Sequence, residues 1–93
     1  MIEVDDQPGQ LRYVISVDGA PAGAAAYVLR GGRRIFVHTE VDPAFEGMGV
    51  GSTLAKGALA DVRARGLQLT VECEFIAAYV KRHAGEYADL VAG

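Results

Sequence analysis

The chain of 93 residues holds one cysteine, Cys73, and two isolated histidines, His38 and His83. A lone cysteine excludes an internal disulfide framework and makes a reducing compartment the expected setting. Two histidines and one cysteine never approach metal-ligand spacing, so no metal site is expected. No apolar run is long enough to span a bilayer, and the start MIEVDDQPGQ lacks both a basic stretch and an apolar signal core. The expectation is a cytoplasmic protein without a membrane partner. Cations are outnumbered too: nine Lys and Arg against twelve Asp and Glu give a net charge of −3 at pH 7. That balance argues against nucleic acid, which needs clustered Lys and Arg to neutralise phosphates, and suits a basic acceptor better. No serine-centred triad can be assembled.

What is present is an ordinary globular composition, 51% apolar and 23% charged, in a length that predicts one domain over residues 1–93. Leu11–Val17 alternates apolar with polar and joins Ala22–Leu29 through Asp18-Gly19, a strong hairpin signal. A turn at Arg30–Gly32 leads to a third strand, Arg34–Val41, with Arg33 and Arg34 read as solvated hairpin charges. A short strand at Ile2–Val4 completes the meander. Asp42-Pro43 opens a loop, and from Gly51 or Ser52 to Arg65 apolar residues recur at helical spacing, with Asp61 pointing away from the apolar side. Gly57 weakens that helix by about 1 kcal/mol, and Gly66 caps it. Leu67–Cys73 reads as a strand reached by a parallel crossover. EFIAAYVKRH then reads as an amphipathic helix stopped by Gly85, with one further helical turn in EYADLVAG. The order β-β-β-loop-α-β-α predicts an α+β, or mixed α/β, layer.

The segment FEGMGVGSTL places Gly47, Gly49 and Gly51 between a strand and a helix. It is either a plain left-handed turn or a site where a ligand lies against backbone N–H groups at the positive end of a helix dipole. A P-loop fails, because Lys56 lies well inside the helix. A dinucleotide fingerprint fails as well, because Ser52 or Leu54 stands where its last glycine belongs. What remains is Glu46-Gly47-Met48-Gly49-Val50-Gly51. This resembles the coenzyme A pyrophosphate loop of the GNAT acetyltransferases, Gln/Arg-x-x-Gly-x-Gly/Ala. With HTEV before it, ARGLQL after the helix, then Cys73, Phe75, AYVKRH and EYADLV, the chain from Leu11 to Val91 is similar to the short single-domain GNAT-like proteins. It departs from them at Glu46, where the superfamily has Gln or Arg, and at Glu74, where the short family has proline.

The resemblance implies a GNAT-like antiparallel meander, crossover helix, parallel strand and C-terminal helix that binds acetyl-CoA and transfers acetyl to an amine. It implies that Glu46, Gly47, Met48, Gly49, Val50, Gly51 and Ser52 hold the coenzyme A pyrophosphate. The pantetheine arm would pair with the strand end at Glu40 and Val41, and Arg82 or Lys81 would meet phosphates. Tyr79 is a cofactor-side residue or general acid in this reading, and core packing in the plain one. His38 or Glu40 offers a general base, or both are solvent-facing polar residues. A base is needed because a lysine of pKa about 10.4 is only about 0.1% neutral near pH 7.4. Cys73 is an acyl-accepting nucleophile or a small buried hydrophobe. The wall of N-terminal helices found in longer GNAT proteins has no counterpart here, which favours a protein or peptide amine. The alternative is a non-catalytic module that binds coenzyme A or an acyl carrier.

Overall fold

Asp18 (φ 50°) and Gly19 (φ 83°) both take the left-handed conformation that a two-residue hairpin loop needs, and Gly31 (φ 58°) and Gly32 (φ 74°) repeat it one strand later. These turns shape the computed structural model, which describes residues 1–91. Its strands are β1 (Ile2–Gln7), β2 (Arg12–Val17), β3 (Ala20–Arg30), β4 (Arg33–Val41) and β5 (Gln68–Val71). Its helices are α1 (Val50–Ala64), α2 (Glu74–Arg82) and α3 (Ala84–Val91). One sheet runs β1-β2-β3-β4-β5, antiparallel from β1 to β4 and parallel between β4 and β5. This is the expected mixed α+β arrangement.

The core lies on one face of the sheet. Tyr13, Ile15, Ala25, Tyr27, Phe36 and Leu69 point there and meet Leu54, Ala58, Leu59 and Val62 of α1, Ile76 and Tyr79 of α2, and Tyr87 and Leu90 of α3 in one buried cluster. Burying each of the larger aliphatic side chains stabilises the fold by roughly 1.5–3 kcal/mol. Contacts along α1 show that α2 and α3 share its side of the sheet. Gly51, near its start, lies against Phe75 of α2, and Arg63, near its end, bonds Asp89 and the Glu86 carbonyl of α3. The opposite face, with Arg12, Val14, Ala24, Ala26, His38 and Glu40, is exposed or half-buried. Glu3 and Asp5 of β1 are exposed as well.

Gly57 has a packing reason. A Cβ there would stand 2.8 Å from Cβ of Val4, so the missing methyl lets β1 lie against α1. Gly66 (φ 69°) ends α1 as expected, with Leu67 N–H donating to Val62 O and Gly66 N–H to Arg63 O.

Four expectations need correction. The N-terminal strand extends past Val4 to Gln7, because its ladder with β2 continues to the pair Gln7 and Arg12. Gly85 does not stop α2. His83 does, donating its N–H to Tyr79 O and Val80 O, and Gly85 falls in the first turn of α3, a full helix rather than one turn. Ala92 and Gly93, the end of that tail, lie outside the described residues. The last strand ends at Val71 rather than Cys73, since its ladder with β4 stops at the pair Phe36 and Val71.

The fourth concerns Arg34 and Asp61. Arg34 is 5% exposed, not a solvated hairpin charge. Its guanidinium lies over the rings of Tyr27 and Tyr13, with its carbon 4.4 and 5.4 Å from their centroids, and bonds Asp6 at 3.0 Å. It also donates to the Tyr13 hydroxyl, which in turn donates to Asp61 at 2.6 Å. Tyr27 donates to Asp6, and Arg65 to Asp61 at 2.7 Å. Burial, then the bond to Asp6, pushes the Tyr27 phenol up to about 12; burial and the bond to Asp61 raise Tyr13 as well. Burial alone would raise Asp61, but the bonds from Tyr13 and Arg65 outweigh it and hold its carboxyl below the ordinary value of 3.8.

A depressed folded-state pKa gives stability that is complete above the unfolded value and disappears as pH falls through the folded one. Asp61→Asn should therefore destabilise the protein at pH 7 by about 1.5–3 kcal/mol, the range for a hydrogen bond to a charged group. The gap to the parent should begin to close only as pH falls below the ordinary carboxyl value of 3.8. Urea melts at a series of pH values measure both, and a gap that stays constant into acid contradicts the assignment.

Candidate functional site

A single extra residue sets the geometry of the site. Along the β3–β4 ladder Tyr27 faces Phe36 and Ala26 faces His38, leaving Val37 as a bulge. Before the bulge, Arg34 and Phe36 point to the core. Regular alternation would send His38 and Glu40 after them, but the bulge inverts the phase. Thr39 and Val41 turn toward the helices, while His38 and Glu40 turn to the bare face, with side chains 64% and 75% exposed. His38 Nε2 lies 3.0 Å from Glu40 Oε1.

At the same point β5 leaves β4. The last paired residues are Phe36 and Val71, and the Phe36 carbonyl then accepts from both Glu72 N–H (2.8 Å) and Cys73 N–H (3.0 Å). Among the described residues no strand pairs with His38–Val41 on that side, so β4 presents an open backbone edge. Across the gap stands Cys73, the residue before the first turn of α2, 7% exposed. Its Sγ is 3.2 Å from the Thr39 hydroxyl. Glu72 and Glu74, on either side of it, are exposed to solvent.

The loop after β4 is built by Asp42, whose carboxylate accepts from Ala44 N–H at 2.9 Å and caps a 3-10 turn over Pro43–Phe45. Gly47 (φ 81°) and Gly49 (φ 73°) then take left-handed backbone, which a side chain rarely adopts, and nothing lies within 4 Å of where their Cβ atoms would be. Gly47, Met48 and Gly49 are exposed. No amide from Gly47 to Ser52 donates to a backbone carbonyl of a described residue, and Thr53 N–H makes the first bond of the helix, to Gly49 O. A row of donors without a backbone acceptor therefore stands at the start of the fifteen-residue α1, with Gly47, Met48, Gly49 and Ser52 exposed and Val50 and Gly51 buried.

Gly51 differs from its two neighbours. It is helical and buried, and a Cβ on it would stand 2.5 Å from the tip of the Phe75 ring. Its small size admits that ring rather than a turn. Phe75, Thr39, Val41 and Phe45 join Glu46 and the loop from Gly47 to Ser52 around a cavity of about 410 Å³. Glu46 is the one charged side chain on it.

The sequence-predicted residues thus fall into three places. Val41, Glu46, Gly47, Gly49, Val50, Gly51 and Ser52 line the cavity, with Met48 exposed on the loop between them. Cys73 does not line the cavity but touches one of its lining residues, Thr39, and His38 with Glu40 lies on the other face of the sheet, where Glu40 borders a groove of about 590 Å³ with Arg12, Val14, Ala24 and Asp42. Val41 lines both spaces. Tyr79 is elsewhere. It is buried, its ring 4.4 Å from that of His83 and 6.0 Å from that of Tyr87, and it does not line the cavity. Arg82 is exposed, seven residues along α2 from Phe75, roughly 10 Å by helical rise. Thr39, Phe45 and Phe75 were not singled out as site residues, although alternation from Val41 reaches Thr39.

This arrangement gives a strand edge, a loop of free amides and a helix start converging on one cleft, which is a framework for an extended anion-tipped ligand. A family profile described as GCN5-related N-acetyl-transferase matches residues 12–90. The chain belongs to that family. Members transfer acetyl groups and in general use acetyl-CoA. No curated protein matches the chain.

The cleft fits the family's cofactor in two respects and opposes it in one. The unpartnered amides suit a diphosphate and the open β4 edge suits an amide-bearing arm, whereas the Glu46 carboxylate repels anions unless it turns to solvent, where it is exposed. Phe75 is a part-exposed piece of the wall, at 39%, so its ring has room to move outward. Gly51→Ala is expected to push its ring outward and shift its NMR resonances. The stability change should stay under about 1 kcal/mol, because the gain in helix propensity offsets the crowding. A loss of several kcal/mol would show the ring to be fixed.

Proposed function

We propose that this protein binds acetyl-CoA in the cleft between β4 and β5 and transfers the acetyl group to an amine of a protein or peptide. The observation that carries the reading is the run of unpartnered amides from Gly47 to Ser52 beside the unpaired edge of β4. The loop amides hold the pyrophosphate, with Gly47 and Gly49 keeping its approach free of side chains. The backbone at Glu40 and Val41 holds the pantetheine arm, and Arg82 reaches toward phosphate from the end of α2. The cofactor supplies an acetyl group activated as a thioester. Cys73, steadied by Thr39, stands beside the cleft as acyl acceptor or as a wall of the acyl pocket. The acceptor amine comes from the bare face, where the paired His38 and Glu40 take its proton. The open groove there, with no helical wall among the described residues, favours a chain segment over an enclosed small molecule. The single free thiol suits a reducing, cytoplasmic setting.

A second reading has its own support. His38 and Glu40 lie on the opposite face from Cys73, as they would in a module that binds coenzyme A without turnover.

Coenzyme A at a hundredfold its dissociation constant should stabilise the protein by about 2.7 kcal/mol, raising Tm by roughly 10–20 °C. Glu46→Gln should strengthen that effect. Acetyl transfer to a lysine-rich peptide should fall by about 100-fold in Glu40→Gln while coenzyme A binding is retained, the lower end of what a general base contributes. Unchanged turnover in Cys73→Ala rules out the nucleophile and leaves direct attack. Binding without transfer selects the module, and absence of binding overturns the proposal.

A further inference from the structure

On the bare face of the sheet one row of side chains runs across four strands. Asp5 of β1 pairs with Val14 of β2, Val14 with Ala24 of β3, and Ala24 with Glu40 of β4. Asp5 and Glu40 are exposed, whereas Val14 and Ala24 are half-buried, so the row has a carboxylate at each end and a low apolar floor between them. The floor belongs to the groove of about 590 Å³ that Glu40 and Asp42 border. Three inter-strand steps of about 4.8 Å place the end residues roughly 14 Å apart. Asp5 makes no ion pair with a described residue, and Glu40 has only His38. Among the described residues Arg12 is the one cation that lines the groove. It stands on the next row, with Ala26 and His38, and its Nε–H donates to Gln7 Oε1 at 3.3 Å. Carboxylates at both ends of an unpartnered sheet face complement a chain segment that carries two cations.

We propose that this row seats the acceptor of acetyl transfer as an extended basic segment laid across the strands, its reactive lysine at Glu40 and a second cation four residues away at Asp5. The proposal rests on the reading of His38 and Glu40 as the acceptor side, and adds the sequence pattern that the acceptor carries. An extended chain advances about 3.3–3.4 Å per residue and turns alternate side chains to one side, so only even spacings bring both cations onto the sheet. Four residues cover about 13–14 Å, the separation of the two carboxylate-bearing positions. A spacing of two ends over Val14 and Ala24 beside Arg12, which repels a cation, and a spacing of six passes beyond β1 by about 6 Å. The residue midway between the cations rests on the floor, where the single methyl of Ala24 leaves room for a small apolar side chain.

The test is an NMR titration of the intact protein with end-blocked alanine peptides holding one lysine and one arginine, the arginine three, four or five residues before or after the lysine. The amides of Asp5, Val14 and Ala24 report the row, and acetyl transfer to the same peptides is followed separately. In one chain direction the spacing of four should bind about threefold to fivefold more tightly at low salt than three or five, the scale of an exposed ion pair. That preference should disappear in Asp5→Asn and persist in the charge-matched control Glu86→Gln, a substitution on α3 across the sheet. The proposal is overturned if spacing makes no difference, if the preference survives Asp5→Asn, or if the control erases it equally. It is also overturned if the same amides shift on raising the protein concentration without peptide, which marks a second copy as the occupant. Any of these outcomes with transfer intact leaves the acetyl-transfer reading standing. Spacing-selective binding without transfer upholds the row as a peptide-binding surface and overturns that reading instead.

Discussion

The extra residue at Val37 is the constraint on which the site depends. A regular strand would carry the core-facing phase of Arg34 and Phe36 on to His38 and Glu40, burying two ionisable groups under α1. The bulge reverses the phase, so the hydroxyl of Thr39 and the side chain of Val41 enter the cleft and the His38–Glu40 pair goes to water. It coincides with the end of the β4–β5 ladder, where one carbonyl, that of Phe36, takes up the last two amides of the departing chain. Opening of the strand edge and inversion of its side chains therefore occur at the same place. Neither would make a cleft alone: without the splay the edge would be paired, and without the inversion Cys73 would face an imidazole.

The buried network at the opposite end has a different role. Arg34 is enclosed by two aromatic rings and held by carboxylates from β1 and, through Tyr13, from α1. A buried guanidinium needs these partners, since removal of one leaves an uncompensated charge, an effect of about 3–5 kcal/mol in comparable buried pairs. It ties the edge strand β1 and the crossover helix to the middle of the sheet. The cleft end carries no comparable tie among the described residues. Its loop is held by the Asp42 cap and a few backbone bonds, so the two ends of β4 differ in rigidity.

Much of this was legible in the sequence. Turn chemistry named both hairpins and the Gly66 cap, because each demands a left-handed residue at a fixed position. Helical spacing gave the buried side of α1, and the family resemblance carried the cleft. Three features were hidden. A bulge changes no composition, so strand alternation alone does not say which face of β4 beyond Val37 meets the core. Arg34 sits between Gly-Gly and an apolar run, where a surface charge is the ordinary reading, and only the distant Asp6 and Asp61 make its burial tolerable. Gly51 looked like the third member of a phosphate-binding trio, whereas its packing reason depends on Phe75, twenty-four residues later.

The strand β1 is a free border of the sheet, with β2 on one side and, among the described residues, no strand on the other. An uncovered border is a template on which a second chain can stack its own backbone. In this protein Glu3 and Asp5 project along that border on the bare face, unaccompanied by a cation on the same strand. Two copies meeting border to border would bring these carboxylates together. Repulsion of like charges thus opposes the stacking of one rim on another, and favours a different partner for the uncovered surface of the sheet.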